Sequence, residues 1–262
     1  MNDLTSEGFD RILAWSIEQS PREVAEAISS TRGAEEWLRR TAHALSNYVK
    51  GAPLGYVMGE VHYLGRTFRC DSRALAIRPY NELIVRQVMA DWVGRQPSVL
   101  EIGCGAGASI ISLALELAGE CTGTDIDSGA LELARENTMA LGASVQLLQS
   151  NLFASVKGEF DVIVANLPWE DAARVLPEAA WEPDHALYDR SGLQFGLIRQ
   201  FLAEAPLHLG PNGLIYLEIP TTPEQQANFA GDELALPNGE VIGRRMTAQQ
   251  ALKSAARLGA QH

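Results

Sequence analysis

The sequence predicts an α/β fold: a Rossmann-like parallel sheet covered by helices on both faces, with a small helical domain in front of it. Three observations carry this prediction. From Ser98 onward, short apolar runs of strand length alternate with stretches of helical periodicity. The first run, SVLEIG, ends in a glycine cluster (Gly103, Gly105 and Gly107) that feeds straight into a helix. The second run ends in acids, with Asp125 eighteen residues past Gly107.

In chain order, residues 1–52 read as the helical domain. Ser20-Pro21-Arg22-Glu23 has the form of a capping box with proline at the first helical position, opening a helix to Ser29. Trp37, Leu38, Ala42, Leu45 and Val49 recur at helical spacing and predict one buried face, and Gly51-Ala52-Pro53 ends that helix. Residues 53–80 read as a connector, in which Tyr63, Phe68 and Cys70 among glycines predict a β-hairpin. Residues 81–262 are the sheet domain, entered by a helix from Asn81 to Trp92. After the second strand, SGALELARENTMALG reads as a helix capped by Ser128, and SVQLLQ and FDVIVAN as strands three and four. An acidic helix near 170–180, a long helix near 191–208 and the fifth strand GLIYLEIP follow. In the last forty residues only NGEVIG suggests a strand, before TAQQALKSAARLG closes as a helix.

The chain has 262 residues, 46% hydrophobic and 21% charged, enough to bury a core without disulfides. A net charge of −12 and a pI near 4.9 argue against bulk binding of nucleic acid, which wants a basic face. The pairs Arg39-Arg40 and Arg244-Arg245 read as solvated surface. Cys70, Cys104 and Cys121 fit no zinc spacing, and an odd number suits a reducing compartment. His43, His62, His185, His208 and His262 share no ligand spacing, so no metal is expected. The start, MNDLTSEGFD, is no signal peptide, and no run of eighteen apolar residues occurs. The expectation is a cytoplasmic protein with no membrane segment.

Three constellations carry chemistry. In Glu101-Ile102-Gly103-Cys104-Gly105-Ala106-Gly107 the glycines let a ligand approach the backbone, and the following helix offers free N–H groups there. A plain tight turn reads the same way. The context, with Asp125 and Ile126 ending the next strand, favours a nucleoside whose ribose hydroxyls bind the acid. The spacing departs from the GxGxxG of pyrophosphate loops, so an amino-acid tail is favoured over a dinucleotide. Asn151 and Leu152 after strand three sit where a base would lie, or else form a surface turn. Asn166-Leu167-Pro168-Trp169 ends strand four at the ligand-binding edge of such sheets. There an amide and a constrained carbonyl can accept from an –NH2 group, and Trp169 offers a flat face to an amide or a sulfonium. The bland reading is a loop that ends a strand.

With these motifs assembled, the chain resembles the HemK/PrmC family, the N5-glutamine methyltransferases that modify peptide-chain release factors. PLGYVMGEVHYLGRTFRCDSRALAIRPYNELIV is similar to the family's hairpin and RPETE-type segment, VLEIGCGAG to its AdoMet loop, and LLQSNLF to its adenine-side segment. NLPW stands where the family has NPPY, and WEPDHALYDRSGLQFGLIRQFL and GLIYLEIP match later segments. The resemblance implies a class I AdoMet-dependent methyltransferase fold, with S-adenosyl-L-methionine (AdoMet) held by Glu101, Gly103, Cys104, Gly105, Gly107, Asp125, Ile126, Asn151, Leu152 and Asn166. It also places Tyr80 and Asn81 near the methionyl end. Asn166, Leu167, Pro168 and Trp169 become the catalytic segment. Departures are Leu167 for the first proline of NPPY, Tyr80 and Asn81 for Glu and Thr of RPETE, and Asn151 for an aspartate. The segment after Pro220 does not match the family's closing strands well.

The expected activity is N-methylation of an amide or amine, on a protein glutamine or a smaller acceptor. The short helical region and divergent closing segment predict that full-length release factor is not the acceptor. A second reading makes AdoMet itself the substrate: its amine displaces methylthioadenosine while Trp169 and Tyr80 cradle the sulfonium. A non-catalytic AdoMet-binding module and an adenine-N6 methyltransferase of nucleic acid fit less well, the latter because of the acidic charge.

Overall fold

The computed structural model describes residues 31–171, Ala173 and 180–260. The helix predicted to open at Ser20 lies outside them. Most of the acidic stretch near 170–180 does too, and its first two residues form a short strand rather than a helix. The described chain opens with helices α1 (Thr31–Val49) and α2 (Leu54–Met58), then the hairpin β1 (Glu60–Tyr63) and β2 (Arg66–Arg69). A 3-10 turn, Pro79–Asn81, leads into α3 (Glu82–Trp92). The alternating part comprises β3 (Val99–Ile102), α4 (Ala108–Glu116), β4 (Cys121–Asp125), α5 (Ser128–Leu141), β5 (Gln146–Gln149) and β6 (Phe160–Ala165). It continues through β7 (Glu170–Asp171), α6 (Asp184–Leu187), β8 (Tyr188–Asp189), α7 (Gly196–Glu204) and β9 (Leu209–Glu218). The chain then ends in α8 (Pro223–Gln226), β10 (Asp232–Ala235), β11 (Val241–Met246) and α9 (Ala248–Gly259).

Seven strands form one sheet in the order β10-β11-β9-β6-β3-β4-β5. The five from β5 to β9 are parallel, whereas β10 pairs antiparallel with β11 and β11 antiparallel with β9. Both faces are covered, so the central strands are apolar without alternation and their side chains divide between two cores. Leu100, Ile102, Ile163, Ala165 and Leu217 join Phe195 and Phe201 of the α7 side. Val99, Val162, Val164 and Tyr216 join Val88, Ile110 and Leu113 of the other side. Each fully buried Phe or Leu contributes roughly 1.5–3 kcal/mol.

Several expectations change. The buried face of α1 is Thr41, Ala44 and Tyr48, while Leu38 and Val49 are exposed. Ala44 and Tyr48 pack with Leu54 and Val57 of α2, so the short following helix rotates the apolar seam by one position. The side chain at the N-terminus of α5 is Asp127, whose Oδ1 accepts from Gly129 N at 2.7 Å, not Ser128. The closing segment holds two strands where one was expected, and they complete the sheet. Arg244 and Arg245 are not a solvated basic pair: Arg244 is buried against Glu233, and Arg245 pairs with Asp91 and Asp232. The hairpin is packed into the sheet domain, since Tyr63 and Phe68 belong to the same core as Val99 and Ile110.

Candidate functional site

A cavity of about 480 Å³ opens at the carboxyl edge of the parallel strands. The glycine loop forms one wall because its backbone occupies a region that only glycine enters freely: φ is 73° at Gly103, 52° at Gly105 and 83° at Gly107. Gly103 and Cys104 both donate their N–H to the Thr124 carbonyl at 2.8 Å, which stitches the loop to the end of β4. Asn137 of α5 anchors it from behind. Its Nδ2 donates to the Ala106 carbonyl (2.9 Å) and the Arg69 carbonyl (3.1 Å), and its Oδ1 accepts from Arg69 N (2.8 Å). One buried side chain thus joins the hairpin to the loop.

Asp125 leaves β4 into the cavity. Its Oδ2 accepts from Gly105 N and its Oδ1 from Asp127 N, both at 2.9 Å. Each oxygen retains a lone pair, which suits two vicinal hydroxyls. Burial raises its pKa, and those two N–H groups and the His185 side chain act against the rise. Glu101 is buried below the loop with Oε2 accepting from Ile110 N at 2.9 Å, and desolvation pushes its carboxyl up to about 8. Burial raises the Cys104 thiol well above its ordinary value, so Cys104 packs rather than reacts.

Across from the loop lies the end of β6. A Cβ placed on Gly103 would stand 3.4 Å from Leu167 Cδ2 and 3.5 Å from the Asn166 carbonyl oxygen, so the two motifs are in contact. Leu167 is buried in the core, and among the described residues none hydrogen-bonds the Asn166 side chain. A third wall is the segment 185–191, with Glu182 tying its start to the chain near Ala76. Buried Glu182 accepts from Ala76 N (2.9 Å) and from the Arg78 guanidinium (2.6 Å). His185 Nε2 lies 2.9 Å from Asp127 Oδ2, and β8 pairs with β7 four residues past Asn166.

The cavity brings together most of the residues the sequence singled out. Glu101, Gly103, Cys104, Gly105, Asp125 and Ile126 line it from β3 and β4. Asn81, Asn151, Leu152, Asn166, Leu167 and Pro168 line the rest. Three stand apart. Gly107 is a packing glycine, whose Cβ would meet Ile111 at 2.8 Å and Ala134 at 3.2 Å. Trp169 packs on the α7-side core rather than facing the cavity. Tyr80 lies outside the lining, with its hydroxyl donating to Glu218 Oε1 at 3.4 Å. Residue-level reading missed Tyr63, the 74–78 stretch, Ser109 and His185. No local pattern marks these positions, although the longer similar segments contain most of them. Among the described residues no cluster of three or more His, Cys, Asp or Glu is placed to hold a metal, and no helix is long and apolar enough to cross a membrane.

Comparison with known proteins gives a consistent picture. A family model described as "Methyltransferase small domain" matches residues 81–182. The release factor glutamine methyltransferase of Deinococcus radiodurans is 36% identical over 173 residues, covering 64% of this chain and 62% of the relative. That of Bordetella pertussis is 32% identical over 189 residues, covering 70% and 68%. The ribosomal protein uL3 glutamine methyltransferase of Xanthomonas campestris is 32% identical, covering 64% and 56%. The chain thus spans about three fifths of the length of the first curated relatives it matches. A solved structure with the same fold is the Thermus thermophilus 16S rRNA N2 G1207 methyltransferase in complex with AdoMet and guanosine. It has a TM-score of 0.51 and 21% identity, over 72% of this chain and 50% of that one.

Proposed function

Because the chain belongs to the family of release factor glutamine methyltransferases, we propose that it transfers a methyl group from AdoMet to the side-chain amide of a protein glutamine. The observation that carries this reading is the contact between the glycine loop and Asn166-Leu167 inside one cavity that also holds Asp125. The residues fit the cofactor: a backbone-lined glycine wall, an acid with two free lone pairs, and a cavity within the range for a ligand of this size. Asp125 would hold the ribose hydroxyls, Asn151 and Leu152 the base, and the Gly103–Gly105 backbone the linking part. The bound cofactor supplies an electrophilic methyl group carried on a sulfonium.

The chain's own task is alignment and exclusion of water. An amide nitrogen is a weak nucleophile because its lone pair is delocalised into the carbonyl. Hydrogen bonds from its –NH2 to Asn166 Oδ1 and the Leu167 carbonyl hold the nitrogen in line and return electron density to it. Pro168 stiffens the backbone just past that carbonyl. As the nitrogen gains the methyl it loses one proton to solvent. The three-part division at residues 52 and 80 belongs to the same proposal, with 53–80 acting as a packed wall of the cavity.

The short helical region and the divergent closing segment speak against full-length release factor. The second weighs less because β10 and β11 complete the sheet there, and residues 1–30 of the first lie outside the described ones. A protein acceptor also suits the −12 charge better than nucleic acid does. The AdoMet-cyclising reading needed Trp169 and Tyr80 around the sulfonium, and neither lines the cavity. The test is incubation with labelled AdoMet and release factor, and separately with AdoMet alone. Label on a glutamine is the expected result. Methylthioadenosine released without an acceptor, or label on small amines only, would overturn the proposal.

A further inference from the structure

A ribose held at Asp125 with its base toward Asn151, past the end of β5, would send the rest of the ligand the other way along the sheet edge. The strands run β5-β4-β3-β6-β9, so a tail leaving the end of β4 passes β3 and β6 toward β9. At that far end stands Asn81, which lines the cavity, with Glu218 behind it at the last residue of β9. Ala165 pairs with Leu217, which makes Glu218 the register neighbour of Asn166 on the adjacent strand.

Two oxygens here are anomalous. Glu218 is 2% exposed, yet among the described residues its Oε2 has no hydrogen-bond partner, and the same holds for the buried Asn81 Oδ1. The two side chains lie close enough to interact. Each buried acceptor left without a donor bears a desolvation cost. A single proton between them satisfies both.

Resting on the cofactor reading above, we propose that Glu218 is a positioning residue, which as a carboxylic acid donates its Oε2 proton to Asn81 Oδ1 and so turns the Asn81 –NH2 toward the carboxylate of the cofactor's amino-acid tail. Loss of that proton would reverse the preference: an ionised carboxylate is acceptor-only, so it draws the –NH2 to itself and leaves Oδ1 facing the tail. The surroundings favour the acid. Burial pushes the Glu218 carboxyl up to about 8, against the opposing pull of the Tyr80 hydroxyl, the Arg78 guanidinium and the Asn81 amide. On the β11 side its partner is Gly243, and Arg244 is turned to Glu233 and the Phe229 carbonyl beside the other core. From β1, Tyr63 is influenced by Glu218, Glu101 and Glu82.

The test is calorimetric binding of S-adenosylhomocysteine and of its decarboxylated analogue, which keeps the amine, from about pH 6.5 to about pH 9.5. In the wild type the preference for the carboxylate-bearing ligand should fall about tenfold across that range, the scale of one reversed hydrogen bond. Glu218→Gln carries a permanent N–H donor and should keep the low-pH preference throughout. Tyr80→Phe removes a donor to the ionised form and should shift the fall to higher pH. A preference that does not change with pH in the wild type, or one that falls equally in Glu218→Gln, overturns the proposal. Adenosine serves as the reference for an intact ribose site in each variant. If the wild type binds neither adenosine nor S-adenosylhomocysteine, the cofactor reading itself fails, and this inference with it.

Discussion

Asp125 commits one lone pair of each oxygen to the backbone before any ligand arrives. It therefore shapes the glycine loop as well as offering its free lone pairs to the cavity, and, on the proposed cofactor reading, Asp125→Ala should weaken AdoMet binding by about 1.5–3 kcal/mol, the range for a charged hydrogen bond. Calorimetry on the folded variant checks this, and an unchanged affinity would remove Asp125 from the site. Asn166 is a different case, because among the described residues its side chain has no hydrogen-bond partner. Asn166→Ala should leave stability nearly unchanged and lower kcat on the order of 10²-fold, with a smaller effect on the AdoMet KM. Steady-state kinetics separate the two, and a wild-type kcat would mean that the segment is only a loop. Both residues were legible in the sequence because each ends a strand next to a marked motif. Glu218 was not. It ends a strand too, but its partners Tyr80 and Asn81 lie far away in the sequence and no spacing announces a buried acid.

At the scale of elements, the glycine loop is anchored from behind by Asn137 of α5. Asn137→Ala removes three hydrogen bonds and deprives the buried Ala106 carbonyl and the part-buried Arg69 backbone of this partner. The expected loss is about 2–4 kcal/mol of unfolding free energy, with weaker cofactor binding beside it. Urea denaturation measures the first, and an unchanged midpoint would mean that the loop is held by Thr124 alone. The sequence shows elements where period and length agree, as in β3 to β6. It misleads where neighbouring choices compete. Asp127 and Ser128 are both good capping residues, and only the position of the first turn decides between them. The α1 seam missed by one position because the buried stripe includes Thr41 and Ala44, which hydropathy ranks low. β10 escaped notice because Asp232 and Glu233 read as turn, although on a half-exposed edge strand they face water.

Over the whole molecule, two buried acids set the response to pH. Glu101 and Glu218 are both pushed up to about 8 by burial, whereas an unfolded glutamate titrates near 4.3. Between those values the folded state binds more protons than the unfolded one, so stability falls as pH rises, levelling off above about 8. Asp71 and Glu136 are shifted down by their arginine partners, and Asp91 by the Tyr216 hydroxyl and then Arg245, so they act with the opposite sign, at acid pH only. Urea midpoints at about pH 6 and about pH 8 should therefore differ, with the ligand-free protein more stable at the lower value. In Glu101→Gln the difference should shrink, and an unaltered slope would show that Glu101 is ionised in the fold.

The sheet also has two ends, and they bear on how the chain behaves among copies of itself. β5 and β10 are the outer strands, each four residues long. An open strand edge is a template for pairing with another chain, and short length, charge and irregular register blunt it. β10 carries Asp232 and Glu233 and breaks register between Leu234 and Ala235, while β5 begins and ends in glutamine. The closing segment that looked least like the rest of the family thus supplies a guarded rim, which disfavours edge-to-edge aggregation when the protein is concentrated.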